Sequence, residues 1–192
     1  PAYFALRAAI AAHLPQRLPQ PPAAPPRTTF APTLALPYAS LWDNLPAAPV
    51  ATVAPAGNEL LFGQDQGLVL YRRRIGPGAQ LRVDGVHDYA VVQVDGEEVG
   101  HVSRVRHRAL QSSPQLTLPR AQQAERALEI LVDSFGHVNF GPALGDAKGL
   151  LGEVQLQGAP LQGWQAYPIA LDDAWIKALQ PLRAPTSRPG LF

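Results

Sequence analysis

Residues Tyr89-Ala90-Val91-Val92-Gln93-Val94 and Val99-Gly100-His101-Val102-Ser103-Arg104-Val105, with Asp95-Gly96 between them and Glu97-Glu98 just past the turn, read as a β-hairpin. Asp-Gly accepts the positive φ angles of a two-residue turn at little cost, and β-branched residues at every second position suit a pleated, half-buried surface. Outward from the hairpin the same texture continues. Leu68-Val69-Leu70-Tyr71-Arg72 reads as a buried strand. Leu128, Ile130 and Val132 alternate with Glu129, Leu131 and Asp133, which predicts one face firmly inside. Val154-Gln155-Leu156-Gln157 alternates, turns at Gly158-Ala159-Pro160, and resumes through Trp164 to Leu171. Strand signals about ten residues apart, with few helices between, predict an antiparallel sandwich or barrel.

The flanks differ. Eleven of the 21 prolines fall between Pro15 and Pro55, and they remove backbone donors while biasing their predecessors to extended conformations. Residues 15–27 are therefore expected to form an extended, semi-rigid connector. Before it, Tyr3, Leu6, Ile10 and Leu14 recur at helical spacing in an alanine-rich stretch, predicting a short amphipathic helix. After Leu171, Asp172-Asp173 is expected to cap a helix over Ala174–Gln180, stopped by Pro181.

Composition narrows the function classes. The 192 residues leave room for one domain, or one domain and a linker. Hydrophobic content of 46% against 16% charged is too apolar for a disordered chain. No apolar run approaches the roughly 18 residues of a membrane span, and no basic-then-apolar leader opens the sequence, so a soluble chain is expected. A net charge of +1 lacks the electrostatic footprint of a general nucleic-acid binder. The absence of cysteine rules out disulfides, thiolate metal sites and thiol catalysis. Of the 16 basic residues 14 are arginine.

Few residues have a setting that argues for chemistry. Of the five histidines, only His101 and His107 have a spacing that a strand would present to one side, and no third ligand is signalled. Phosphate-cradling glycine motifs and nucleophile-elbow serines are absent. Arg72-Arg73-Arg74 reads as one sheet-pairing or buried arginine and two solvated ones, since alternate strand residues point to opposite faces. Asp84, Asp88 and Asp95 lie at strand ends, where turns favour aspartate. No carboxylate pair has a setting that raises one pKa and leaves the other low, as glycoside hydrolysis requires.

Three stretches, however, carry a resemblance. Leu61-Phe62-Gly63-Gln64-Asp65-Gln66-Gly67-Leu68-Val69-Leu70-Tyr71-Arg72 is the first. Val83-Asp84-Gly85-Val86-His87-Asp88-Tyr89-Ala90, running on to Val94-Asp95-Gly96, is the second. Leu131-Val132-Asp133-Ser134-Phe135-Gly136-His137-Val138-Asn139-Phe140-Gly141-Pro142, with Asp146-Ala147-Lys148-Gly149-Leu150, is the third and most specific. Together they resemble glycoside hydrolase family 35, the β-galactosidases of lysosomal and bacterial type. Ser40-Leu41-Trp42-Asp43 and Trp164 with Tyr167-Pro168-Ile169 fit the same alignment, and Pro1 to Arg7 is similar to the last helix of the family's catalytic barrel. Asp133-Ser134, His137 and Phe140 depart from the family's Glu-Asn, Arg and Tyr.

The resemblance implies an all-β fold, a galactose-binding-like jelly-roll sandwich with a short N-terminal helix and a Pro-rich connector. Residues 1–14 would be the helix, 15–27 the linker, 28–172 the sandwich, and 173–192 a short helix and tail. The family's two catalytic glutamates belong to a barrel that these residues do not match, so no position inherits a catalytic role. The expected function is a non-catalytic accessory module of a β-galactosidase-like hydrolase; the alternative is a free-standing, lectin-like carbohydrate-binding protein. The candidates for carbohydrate contact or domain docking are Trp42, Trp164, His137, Asn139, Asp146 and Lys148. Of these, both tryptophans read as core residues, Asn139 as a group that satisfies loop backbone, and Asp146 and Lys148 as a local ion pair or a docking pair. No cofactor and no metal are expected. The expected partners are a separate catalytic barrel chain or galactosides, with neither nucleic acid nor membrane, and self-association through the N-terminal helix.

Overall fold

A computed structural model describes residues 2–29, 31, 38–104, 112–121 and 123–182. Val105, His107 and the tail from 183 onward lie outside the described residues. The chain separates into two compact units, Pro1–Leu36 and Pro37–Phe192.

In the first unit, α1 (Ala2–Ala11) ends one turn before Leu14, so Leu14 is not part of the helical stripe. A short bond from the His13 amide to the Ile10 carbonyl, 3.0 Å, tightens the last turn. The proline segment then folds back toward the helix, where the Arg7 guanidinium donates to the carbonyls of Leu18 (3.2 Å) and Pro19.

The second unit is built from strands. In chain order these are β1 (Val50–Thr52), a short helix α2 (Asn58–Phe62), β2 (Leu68–Ile75), β3 (Gln80–Val83), β4 (Val86–His87), β5 (Tyr89–Val94) and β6 (Glu97–Ser103). There follow β7 (Gln115–Thr117), β8 (Arg126–Asp133), β9 (Gly149–Leu150), β10 (Val154–Leu156), β11 (Ala159–Pro160), β12 (Trp164–Ile169) and helix α3 (Asp173–Ala178). The first described strand thus starts at Val50; Pro46 and Pro49 leave few amides for a ladder just before it. A six-stranded antiparallel sheet runs β1-β12-β2-β8-β5-β6, a four-stranded sheet runs β11-β10-β3-β7, and β4 pairs with β9. The fold is all-β, as the periodicity predicted. Among the described residues no helix is long and apolar enough to cross a membrane.

The predicted hairpin is β5–β6. Asp95 (φ 53) and Gly96 (φ 80) both take the left-handed conformation of its turn, and a bulge follows where Val92 faces Gly100 but Gln93 faces Glu98. The two larger sheets bury their facing sides against each other. Tyr71, Val92, Ile130 and Trp164 from one meet Leu81, Val83 and Val154 from the other, each at most 1% exposed. Burying a side chain of this size contributes roughly 1.5–3 kcal/mol.

The outer side of the larger sheet is not simply solvated. One row across β5, β8, β2 and β12 reads Val91, Leu131, Leu70 and Tyr167. Leu41, Trp42 and Leu45 cover it, and the Trp42 indole N–H donates to Gln93 Oε1 at 3.1 Å. Asn44 links this cover to α3: its carbonyl accepts from the Trp175 indole (3.2 Å) and its Oδ1 from the Gln180 amide (2.6 Å). Asp172 caps α3 as expected, accepting from the Trp175 amide at 2.8 Å. The face of the 128–133 strand predicted to lie inside does so, with Leu128, Ile130 and Val132 fully buried, and its other face is buried as well. Leu131 and Glu129 on its other face are each 6% exposed, because the segment around Trp42 lies over that side and Arg72 pairs with Glu129 at 2.6 Å.

Candidate functional site

One end of the sandwich gathers the charged residues. The chain between β4 and β5 places Asp88 there, held on the backbone by its amide to the Asp133 carbonyl (3.0 Å) and by its carbonyl to the Arg104 amide (3.1 Å). The loop after β8 returns Asp146, Ala147 and Lys148 to the same place before β9 begins. Lys148 is 1% exposed, and its Nζ lies 2.7 Å from Asp88 Oδ2 and 3.5 Å from Asp146 Oδ2. Arg104 bridges the same two carboxylates, Nε to Asp88 and Nη2 to Asp146. Two cations and two anions thus close on one another, which is what a buried ammonium needs if its desolvation is to be offset.

His87 completes the group. Its Nδ1 is 2.9 Å from the Ala147 carbonyl and 3.1 Å from Asp146 Oδ1. Two oxygen acceptors at one nitrogen fit the tautomer with the proton on Nδ1, so the Arg104 Nη1 at 3.2 Å is a contact rather than a hydrogen bond. Gly149 follows for a steric reason. At φ 110 a Cβ there would stand 2.5 Å from Asn58 Oδ1 and 3.0 Å from the Tyr71 hydroxyl. That hydroxyl donates to the Ala56 carbonyl at 2.5 Å and accepts from the Leu150 amide at 3.4 Å, while burial pushes its pKa well above the ordinary tyrosine value. Asp146, Lys148 and Gly149 together fasten the long loop to the core.

The Arg104 hydrogen bond is the main cause that holds the Asp146 carboxyl down at about 2, below its ordinary 3.8. A depressed folded-state pKa gives stability that is complete above the unfolded value and is lost as pH falls through the folded one. The sandwich is therefore expected to lose stability between about pH 4 and pH 2, and Asp146→Asn to flatten that part of the profile. Urea midpoints measured across this range check it; an unchanged slope would remove Asp146 from the account.

Beside the cluster lies a cleft of about 340 Å3, lined by Glu59, Leu60, His137, Leu144 and Leu151 among others. Glu59 Oε2 accepts from the Lys148 amide at 3.2 Å. Its Oε1 is 3.1 Å from His137 Nε2 without an aligned hydrogen bond.

The six sequence candidates do not form one site. Asp146, Lys148 and His137 come together at this end, and Lys148 has Asp88 rather than Asp146 as its nearer partner. Asn139 is exposed and, among the described residues, its side chain bonds to no loop backbone, which corrects the role expected for it. Trp42 is half-buried on the outer sheet face, and Trp164, at 1% exposure, lies in the core with no face for a sugar. Arg72 is the sheet-pairing member of its triplet. Arg73 is not simply solvated: its guanidinium lies 5.7 Å from the Trp164 ring and donates to the Gln162 carbonyl. Sequence reasoning missed Asp88, Arg104, His87 and Glu59. Asp88 is no turn residue, because its carboxylate is the centre of the cluster.

Comparison with known proteins bears on this arrangement. The family model described as beta-galactosidase, first all-beta domain, matches residues 59–170. The beta-galactosidase of Xanthomonas manihotis is 39% identical over 177 residues, covering 89% of this chain and 26% of that protein. Human Beta-galactosidase-1-like protein 3 is 31% identical over 171 residues, 85% of this chain and 25% of that one. Human beta-galactosidase is 29% identical over 184 residues, covering 90% and 26%. The chain spans about a quarter of the length of these relatives.

Proposed function

Because the chain belongs to the family of the first all-beta domain of beta-galactosidase, we propose that it is a non-catalytic accessory module of a glycoside hydrolase of family 35. In this reading it is a galactose-binding-like jelly roll that supports a catalytic barrel. One observation carries it: both carboxylates of the buried cluster are committed to cations. Hydrolysis of a glycoside by paired carboxyls needs one of them protonated and turned to the scissile oxygen. Asp88 is held by Lys148 and Arg104, and Asp146 by Arg104 with a lowered pKa, so neither is poised as an acid. What the cluster does well is fix a long loop at one end of a sandwich, giving a neighbouring domain a rigid surface.

The test is a replacement. This chain is put in place of the matched segment of the full-length Xanthomonas manihotis beta-galactosidase. The chimera is expected to hydrolyse nitrophenyl β-galactoside within about tenfold of the parent, while the parent with that segment deleted does not. A chimera no better than the deletion would refute the accessory reading.

A further inference from the structure

The buried cluster lies at the end of β2 and β8 where Leu68 pairs with Asp133; toward the other end, where Arg74 pairs with Ala127, another cleft opens. It measures about 510 Å3, and three consecutive arginines of β2, Arg72, Arg73 and Arg74, line it together with Glu129. Strand alternation alone would send Arg73 to the side opposite its neighbours. Its guanidinium instead reaches past the start of β12, where it donates to the Gln162 carbonyl, and its Nε donates to the Arg74 carbonyl at 2.9 Å.

The charges in this cleft do not balance. Glu129 is the one carboxylate in the lining, and Arg72 takes it with Nε at 2.7 Å and Nη2 at 2.6 Å. Asp95 turns its Oδ1 to the Ala127 amide, 2.8 Å away, and among the described residues pairs with neither remaining arginine. Arg73 has only neutral carbonyls as acceptors, and burial pulls its pKa below the ordinary arginine value. Arg74 is exposed, and among the described residues its guanidinium has no partner. Two cations thus line one concavity without a counter-ion from the chain. Arg73 is also fixed in advance, by its two carbonyls and by the Trp164 ring 5.7 Å away, so holding a ligand costs it little further entropy. Space is left by the lack of side chain at Gly163, where a Cβ would meet nothing within 4 Å.

We propose that this cleft binds a phosphate or sulfate group between the Arg73 and Arg74 guanidiniums, as the free ion or as its ester on a small polar molecule. Two cations match the charge of about −2 that such a group carries, and the guanidinium fork fits its oxygens. The cleft is larger than the group itself and falls in the range of sites for small organic ligands. The exposed Gln165 in its lining offers an amide to the hydroxyls of a carrier. This site is independent of the accessory reading.

The test titrates the 192-residue chain with glucose 6-phosphate, inorganic phosphate and glucose, following amide and indole resonances. Glucose 6-phosphate is expected to shift the signals of Arg73, Arg74, Gly163, Gln165 and the Trp164 indole saturably, with a dissociation constant of about 1 mM or tighter. Glucose at the same concentrations shifts none of them. Binding tighter by several-fold for the ester than for inorganic phosphate assigns an ester as the ligand, and equal constants assign the free ion. Arg74→Gln, at an exposed position, weakens binding at least tenfold with an unchanged melting temperature. Arg82→Gln, an equal loss of charge on the outward side of β3, leaves it unchanged. Absence of saturable shifts in these residues with either phosphate probe overturns the proposal. So does binding that Arg74→Gln leaves intact, or that Arg82→Gln weakens as much.

Discussion

Replacing Lys148 with methionine is expected to cost the sandwich about 3–5 kcal/mol, the range found when one partner of a buried ion pair is removed. The methionine keeps the stem's volume, so little of the loss is packing. What goes is the ammonium that lies 2.7 Å from Asp88 and 3.5 Å from Asp146. Two carboxylates then share the single guanidinium of Arg104, at a place where Asp88 is only 10% exposed on its side chain and Asp146 14%. Their mutual repulsion is no longer balanced, and solvent reaches them too little to compensate. Urea denaturation should show a lower midpoint with an unchanged slope. The double variant Lys148→Met with Asp88→Asn should lose less than the sum of the single variants, since removing the anion also removes its need for a cation. Additive losses, or a Lys148→Met midpoint equal to that of the unsubstituted chain, would mean that the cluster does not hold the loop.

Trp164→Ala is the other large effect, at about 3–5 kcal/mol for a fully buried aromatic. The indole sits on the inner side of β12 and donates to the Leu161 carbonyl at 3.1 Å, and Arg73 covers its ring from outside. Truncation leaves a void between the two larger sheets, an orphaned carbonyl and an arginine with nothing to stack on. Against a typical domain stability of about 5–15 kcal/mol, a loss of this size leaves a measurable unfolded fraction. Trp42→Ala should cost less, about 1–2 kcal/mol, because that ring is half-buried and covers the sheet from outside. Thermal melts of the two variants rank them. Equal melting temperatures would show that Trp164 is not a core residue in solution.

The sheet elements were legible where their causes are local. Asp95-Gly96 needs only its own φ angles to make a turn, and β5, β8 and β10 announce themselves by alternation. The second buried face of β8 was not legible, because it is made by Leu41, Trp42 and Leu45, far away in sequence. The charged cluster shows the same division. Asp146 and Lys148 stand in a recognisable run and were singled out. Asp88 and Arg104 reach that run across 60 and 42 positions, a distance no local pattern spans. One signal was nonetheless present: a chain with 14 arginines keeps a lysine at 148. A narrow buried slot takes an ammonium on a slim stem more readily than a planar guanidinium. Asn139 misled because asparagine beside glycine usually serves its own loop, whereas here the loop is fixed from within by ion pairs and leaves Asn139 to solvent.

Turnover of nitrophenyl β-galactoside by the isolated 192-residue chain tests the non-catalytic role most directly. With Asp88 and Asp146 both tied to cations, the account predicts hydrolysis no faster than in buffer alone. Turnover well above buffer, abolished by substituting any single carboxylate of the chain while the fold is kept, would contradict it.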